Sequence, residues 1–194
     1  MFVSDLRHFL DMPDDVPAPA RRMAEHLISV VRAATAGDAG LSWVTAITCM
    51  RRPAHRACPG HLTVLRTDVP SSIEWRCESC GDAGVISGWE RSLFDLRSAG
   101  TDGHIADGRG VIISTEVAAT LRGLTLIDSE GERRVFRARV VPEGILLDGD
   151  EDDLDELLGY IAAEANHEQN RGRRRRLDAA FDLLRVALAQ SGHR

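Results

Sequence analysis

The chain has 194 residues, of which 43% are hydrophobic and 28% charged, an ordinary balance for a globular protein of one or two domains. With 30 acidic and 24 basic residues the formal charge is -6, which excludes a uniformly basic nucleic-acid binder and leaves room for a local basic patch. Every basic residue is arginine, so chemistry that needs lysine, such as a Schiff base or a phosphate-loop amine, is excluded.

No run of apolar residues is long enough to span a bilayer, so no membrane partner is expected. The opening MFVSDLRHFLDM has neither a basic head nor a continuous apolar core, and a cytoplasmic protein is expected. Residues 1–40 form a first zone. After the polar DMPDDVPAPA, the residues Met23, Leu27, Ile28, Val31 and Ala34 recur at steps of three and four and predict an amphipathic helix. Pro17 and Pro19 suit its start and Gly37 its end.

Residues 41–98 hold all four cysteines and all three tryptophans. Short β-branched runs at Trp43–Thr48, Leu62–Arg66, Ser72–Arg76 and Gly84–Ser87 predict strands, with Trp75 and Trp89 in a small core. Residues 99–109 form a Gly/Asp-rich loop in which Asp102, His104 and Asp107 read as ordinary loop residues. Residues 110–148 predict a small antiparallel β-unit, with strands at Leu124–Asp128 and Val135–Val141 around a turn at SEGER, another at Ile145–Leu147, and a short helix over Ser114–Arg122. The last zone, 149–194, is helical and charge-segregated. Leu154, Leu157, Leu158, Ile161 and Ala165 make one apolar stripe, and Leu177, Phe181, Leu184 and Leu188 another. The polar interruption at 168–172 predicts a helical hairpin in which acidic and arginine-rich segments face each other, with a single long helix as the alternative. The expected fold is thus α+β: a zinc ribbon of short antiparallel strands, an N-terminal helix and a C-terminal helical hairpin, in one or two compact domains.

The cysteines are spaced Cys49-x8-Cys58-x18-Cys77-x2-Cys80. In a reducing compartment four thiols point to metal rather than disulfides. In Cys77-Glu-Ser-Cys80-Gly81 the glycine permits the reversal that turns both sulfurs to one point. The other half has two solutions. Cys49 with Cys58 completes an all-cysteine set, and Cys58-Pro-Gly-His61 makes a compact pair with His61 in place of Cys49. Either gives a tetrahedral site suited to structural Zn²⁺. Arg51, Arg52 and Arg56 lie between the first two cysteines, where they stabilise thiolates or present a cationic surface.

The segment CMRRPAHRACPGHLTVLRTDVPSSIEWRCESCGDAGVISGWERSLFDL, Cys49–Leu96, resembles a bacterial zinc-ribbon family of unknown function found in high-GC, actinobacterial-type genomes. The likeness rests on Cys49, Arg51–Pro53, Cys58–Gly60 and the run Ile73–Trp89, and extends to the tail AAEANHEQNRGRRRRLDAAFDLL. The resemblance implies a four-cysteine ribbon and favours Cys49 over His61 as ligand. It implies no activity.

Signatures of nucleophile elbows, dinucleotide loops and zinc proteases are lacking. A single Glu164-x-x-His167 pair falls short of a di-iron set. The expected role is therefore that of a non-enzymatic zinc protein whose arginine-rich surface meets nucleic acid or an acidic protein partner. An enzyme using a pocket between ribbon and helices and a scaffolding or dimerisation module are the alternatives. The sequence sets no oligomeric state.

Overall fold

The computed structural model describes residues 2–10, 12, 13, 15–97 and 110–191. Asp102, His104 and Asp107 lie outside the described residues. The chain divides into two compact units, Met1–Gly103 and His104–Arg194. The zones 1–40 and 41–98 fall in the first, and 110–148 and 149–194 in the second. No helix among the described residues is long and apolar enough to cross a membrane.

Unit 1 begins with strand β1 (Phe2–Asp5), followed by a 3-10 turn at Leu6–Phe9 and helix α1 (Ala18–Ala36). Strands β2 (Ser42–Thr48), β3 (His61–Asp68), β4 (Ser71–Cys77) and β5 (Ala83–Ser87) follow. They lie in the order β1-β5-β4-β3-β2, antiparallel except for β1, which runs parallel to β5. This is a larger sheet than a short ribbon. β1 was not expected: FVSD is too short to show a period, and its partner is some eighty residues away.

Strict alternation fixes which face of the sheet is inside. Leu62, Val64 and Arg66 on β3 and Ile73, Trp75 and Cys77 on β4 are all buried, with Val64 opposite Trp75 and Leu62 opposite Cys77. Helix α1 packs on β2, β3 and β4 and buries Ala24, Leu27, Val30, Val31 and Ala34. Pro at its first turn and Gly37 at its end bound it as expected. Arg66 ends the inward row of β3 and donates to the carbonyls of Ala34, Thr35 and Gly37 at 3.3, 3.2 and 2.9 Å. It supplies the cation that the last turn of α1 itself lacks.

Unit 2 contains strands β6 (Gly110–Ile113), β7 (Arg139–Val141) and β8 (Gly144–Asp148), antiparallel in the order β7-β8-β6. Helix α2 (Thr115–Leu121) starts at a Ser114 cap, as expected. Helix α3 (Ser129–Arg137) corrects the expected hairpin. SEGER is its first turn, the Asp128 side chain accepts from the Gly131 amide at 2.8 Å, and Val135 and Phe136 face the core from a helix. Leu124–Asp128 forms no strand.

The chain ends in α4 (Glu151–His167) and α5 (Arg171–Ser191), broken at 168–170. A reciprocal Asp150–Asp153 capping box opens α4. The two helices pack on each other, and α5 also packs on α2 and β6. Leu154, Leu157, Ile161, Leu177 and Leu184 join Val111, Leu121, Ile145 and Leu147 in a core that uses no cysteine.

Candidate metal centre

The sheet order of unit 1 brings four chain points to one end. β2 and β4 finish there, and β3 and β5 start there, so the β2–β3 connection and the β4–β5 turn are neighbours. Cys49 follows β2, Cys58 precedes β3, Cys77 closes β4 and Cys80 lies in the turn before β5. Their sulfurs all lie within 4.8 Å of one another, and the thiols are free. Cys49 Sγ is 3.6 Å from Cys80 Sγ, and Cys58 Sγ is 3.7 Å from Cys77 Sγ.

These separations can be tested against a metal. Four sulfurs at ~2.3 Å from a central ion, at the corners of a tetrahedron, stand about 3.8 Å apart. The two closest pairs match that edge, so the cluster fits a tetrahedral thiolate-bound ion. His61 is the first residue of β3 and does not belong to the group. Among the described residues this is the one cluster of ligand-type side chains able to hold a metal.

Local backbone structure builds both halves. Cys49 N donates to Gly60 O at 2.8 Å and Cys58 N to Arg51 O at 2.9 Å, which closes the first loop. The amides of Arg51 and Gly60 point at the sulfurs of Cys49 and Cys58, each at 3.5 Å. Cys77 N donates to Asp82 O at 2.8 Å and Gly81 N to Cys77 O at 2.9 Å, and Gly81 turns the chain at φ +71. Amides aimed at sulfur stabilise thiolates, the form that binds metal.

Burial and these amides act in opposite directions on the thiols. Burial pushes Cys49 up to about 12. At Cys58 the Gly60 amide lowers the pKa, but burial and the thiols of Cys77 and Cys80 outweigh it and leave the pKa raised. At Cys77 burial opposes ionisation, yet the amides of Cys80 and Ser79 and the neighbouring thiols bring the pKa below its ordinary value. Four sulfurs this close are all thiolates only around a cation.

The residues between Cys49 and Cys58 form an exposed loop. Arg51, Arg52 and Arg56 are all exposed. Arg51 stands 3.8 Å from Asp82. The side chains of Arg52 and Arg56 make no hydrogen bond or ion pair among the described residues. Ala54 and His55 lie in the left-handed region at φ 50 and 64, so the loop holds a conformation that non-glycine residues rarely adopt. Two cysteines of the cluster stand at its ends.

Trp75 and Trp89 are buried, at 6% and 0% exposure. Beside the cluster lies a cleft of about 640 Å³, lined among others by Cys80, Asp82 and His26 of α1. Sequence spacing carries no sign of it, because its walls come from residues 2, 23, 26, 50–53, 75 and 80–82. Burial holds the His26 imidazole below its ordinary pKa, against the pull of the Asp82 carboxylate.

The other candidates separate from metal chemistry. Glu164 is buried and accepts from the amides of Thr125 and Leu126 at 2.7 and 2.9 Å, while His167 is exposed. Within the arginine run, Arg173 pairs with Glu164 and Glu168, and Arg171, Arg174, Arg175 and Arg176 are exposed. No protein-family model, curated protein or solved structure matches the chain.

Proposed function

We propose that the chain is a structural zinc protein that presents the arginine loop between Cys49 and Cys58 to nucleic acid. The observation that carries the reading is the loop itself. It is exposed from residue 51 to 57, anchored at both ends by cluster cysteines, and bears two arginines without intramolecular partners. Exposed guanidinium groups that no carboxylate among the described residues neutralises suit phosphate, whose oxygens accept the paired N–H donors of the planar fork.

Cys49, Cys58, Cys77 and Cys80 would hold the ion. Bound there, zinc joins the β2–β3 loop to the β4–β5 turn and neutralises two of the four thiolate charges. A complete thiolate set supports a structural over a catalytic role, because no coordination position is left for a reacting water. Free thiols fit a cytoplasmic setting. Membership of the actinobacterial-type zinc-ribbon family belongs to this proposal and is supported by the motif residues quoted above.

The test has two parts. Elemental analysis of purified protein is expected to find one zinc per chain, and substoichiometric metal overturns the zinc assignment. Fluorescence anisotropy with a labelled single-stranded oligonucleotide, repeated across salt, tests the surface. Each phosphate contact contributes a slope of about -0.7 in log K against log salt, so replacing Arg51, Arg52 and Arg56 by Ala flattens the slope by about 2. Absence of binding at low salt, or an unchanged slope, counts against nucleic acid. Capture of an acidic peptide instead would assign the loop to a protein partner.

A further inference from the structure

The cleft beside the metal centre has a floor with unsatisfied polar chemistry. Trp75 lies on β4 with its indole against Gly84, where a Cβ would come within 2.8 Å of the ring. The ring nitrogen is buried and has no hydrogen-bond partner. The His26 ring stands perpendicular to it, the centroids 6.1 Å apart, and its Nε2 is likewise buried without a partner. Buried polar nitrogens are paired in nearly all native structures, and two unpartnered ones on side chains that line one cleft call for a ligand that brings polar atoms of its own.

The rest of the cleft narrows the choice. Phe2 and Met50 give it an apolar wall and remain partly exposed, at 41% and 37%. Arg51 and Arg52 stand at its edge against one carboxylate, Asp82. The ligand therefore combines a flat apolar body, an edge with adjacent hydrogen-bonding atoms, and negative charge. A cleft of about 640 Å³ falls in the ordinary range for small ligands.

We infer that this cleft binds a nucleotide. The base lies on the Phe2–Met50 wall, one of its acceptor atoms takes the Trp75 Nε1 proton, its neighbouring amino group meets His26 Nε2, and its phosphate sits at Arg51 and Arg52. A nucleobase edge carries acceptor and donor side by side, which matches an indole donor next to an imidazole nitrogen. Two arginines suit a phosphate better than a monoanionic carboxylate. The nucleotide is free or is one unit of a strand, and in the second case the inference deepens the nucleic-acid reading and rests on it.

The zinc-loaded full chain tests this by titration under ¹H–¹⁵N NMR, where Trp43, Trp75 and Trp89 each give an indole cross-peak. Trp75→Phe identifies the Trp75 signal. The probes are AMP, adenosine, inorganic phosphate and a short oligodeoxyadenylate. AMP is expected to move the Trp75 signal and leave the other two in place. Adenosine should do so with about tenfold weaker affinity, and phosphate should not move it. Trp75→Phe should weaken AMP binding, followed by calorimetry, by about tenfold at unchanged zinc content. If that variant does not fold, His26→Leu keeps all three indole signals and should weaken binding similarly.

A Trp75 signal that stays put through saturating AMP and oligonucleotide overturns the inference. An oligonucleotide that binds through the arginines without moving Trp75 also overturns it, and leaves the nucleic-acid surface standing. AMP that moves Trp75 when no oligonucleotide binds supports a free-nucleotide site and removes the nucleic-acid reading.

Discussion

Gly60 and Cys77 stand so close that a Cβ built on the glycine would come within 2.6 Å of the cysteine sulfur, and within 2.5 Å of Ser79 Oγ. The β2–β3 loop and the end of β4 thus meet beside the cysteine cluster with no room for one methyl group. The Gly60 amide also points at Cys58 Sγ. Gly60→Ala is expected to push the β4–β5 turn away from the β2–β3 loop and open the sulfur tetrahedron. Competition with a chromophoric chelator should show zinc affinity reduced by at least about tenfold, the low end for loss of supporting contacts around a metal. Unchanged affinity would show that Cys77 and Ser79 can shift without cost.

Removing the metal should act on one unit only. Unit 1 joins its loop and turn through the cysteines, and structural zinc contributes about 10–16 kcal/mol in small domains. Unit 2 has a leucine and isoleucine core without cysteine. Calorimetry of the full chain with and without a strong chelator should lower the melting temperature of one transition and spare the other. Cys49→Ser and Cys80→Ser should each reproduce the chelated trace. A chelated protein that melts as the loaded one does would remove the structural role of the ion.

The cysteine constellation was legible because metal ligation leaves a local trace: Cys-x-x-Cys-Gly needs a positive φ at Gly81, and the residue type announces it. The spacing alone left Cys49 and His61 both open, and the resemblance favoured Cys49, in agreement with the cluster of four sulfurs. Strands β2 to β5 were readable by their alternation. The Val135–Val141 run was read correctly only at its end, where Arg139–Val141 forms β7; Val135–Arg137 misled because Val and Phe are common in strands, whereas here Asp128 caps a helix, Gly131 fits under Ile127, and Val135 and Phe136 share the inner face. β6 was hidden by its shortness and the glycine-rich stretch before it. Nothing local marks the Trp75 cleft, which exists only once β1 and α1 are placed.

Arg66 offers a test of how α1 is held to the sheet. Its guanidinium is 6% exposed as a residue and donates to three carbonyls at the end of α1. It also contacts Asp68 at 3.1 Å. Arg66→Met keeps the packing of the stem and removes every one of these bonds, leaving buried carbonyls without donors. Denaturant titration should show a loss of about 2–4 kcal/mol, with the larger part from the unsatisfied carbonyls. A loss below about 0.5 kcal/mol, the scale of ordinary surface changes, would show that water replaces the guanidinium.

Glu164 should give unit 2 its acid sensitivity. The carboxylate is 3% exposed, and burial alone would raise its pKa. The amides of Leu126 and Thr125, Arg173 and the Thr125 hydroxyl at 3.1 Å reverse that and bring it below the ordinary value. A carboxyl whose folded pKa lies below its unfolded one binds fewer protons when folded. Its contribution is therefore complete above the unfolded value of about 4.3, and is lost as pH falls through the lower folded pKa. Glu164→Gln removes the charge and leaves Arg173 with Glu168 and the Gly123 carbonyl. The variant should lose about 2–3 kcal/mol at neutral pH and show a shallower fall in stability below pH ~4 than the parent. Parallel pH profiles for the two proteins would show that another carboxylate carries the acid response.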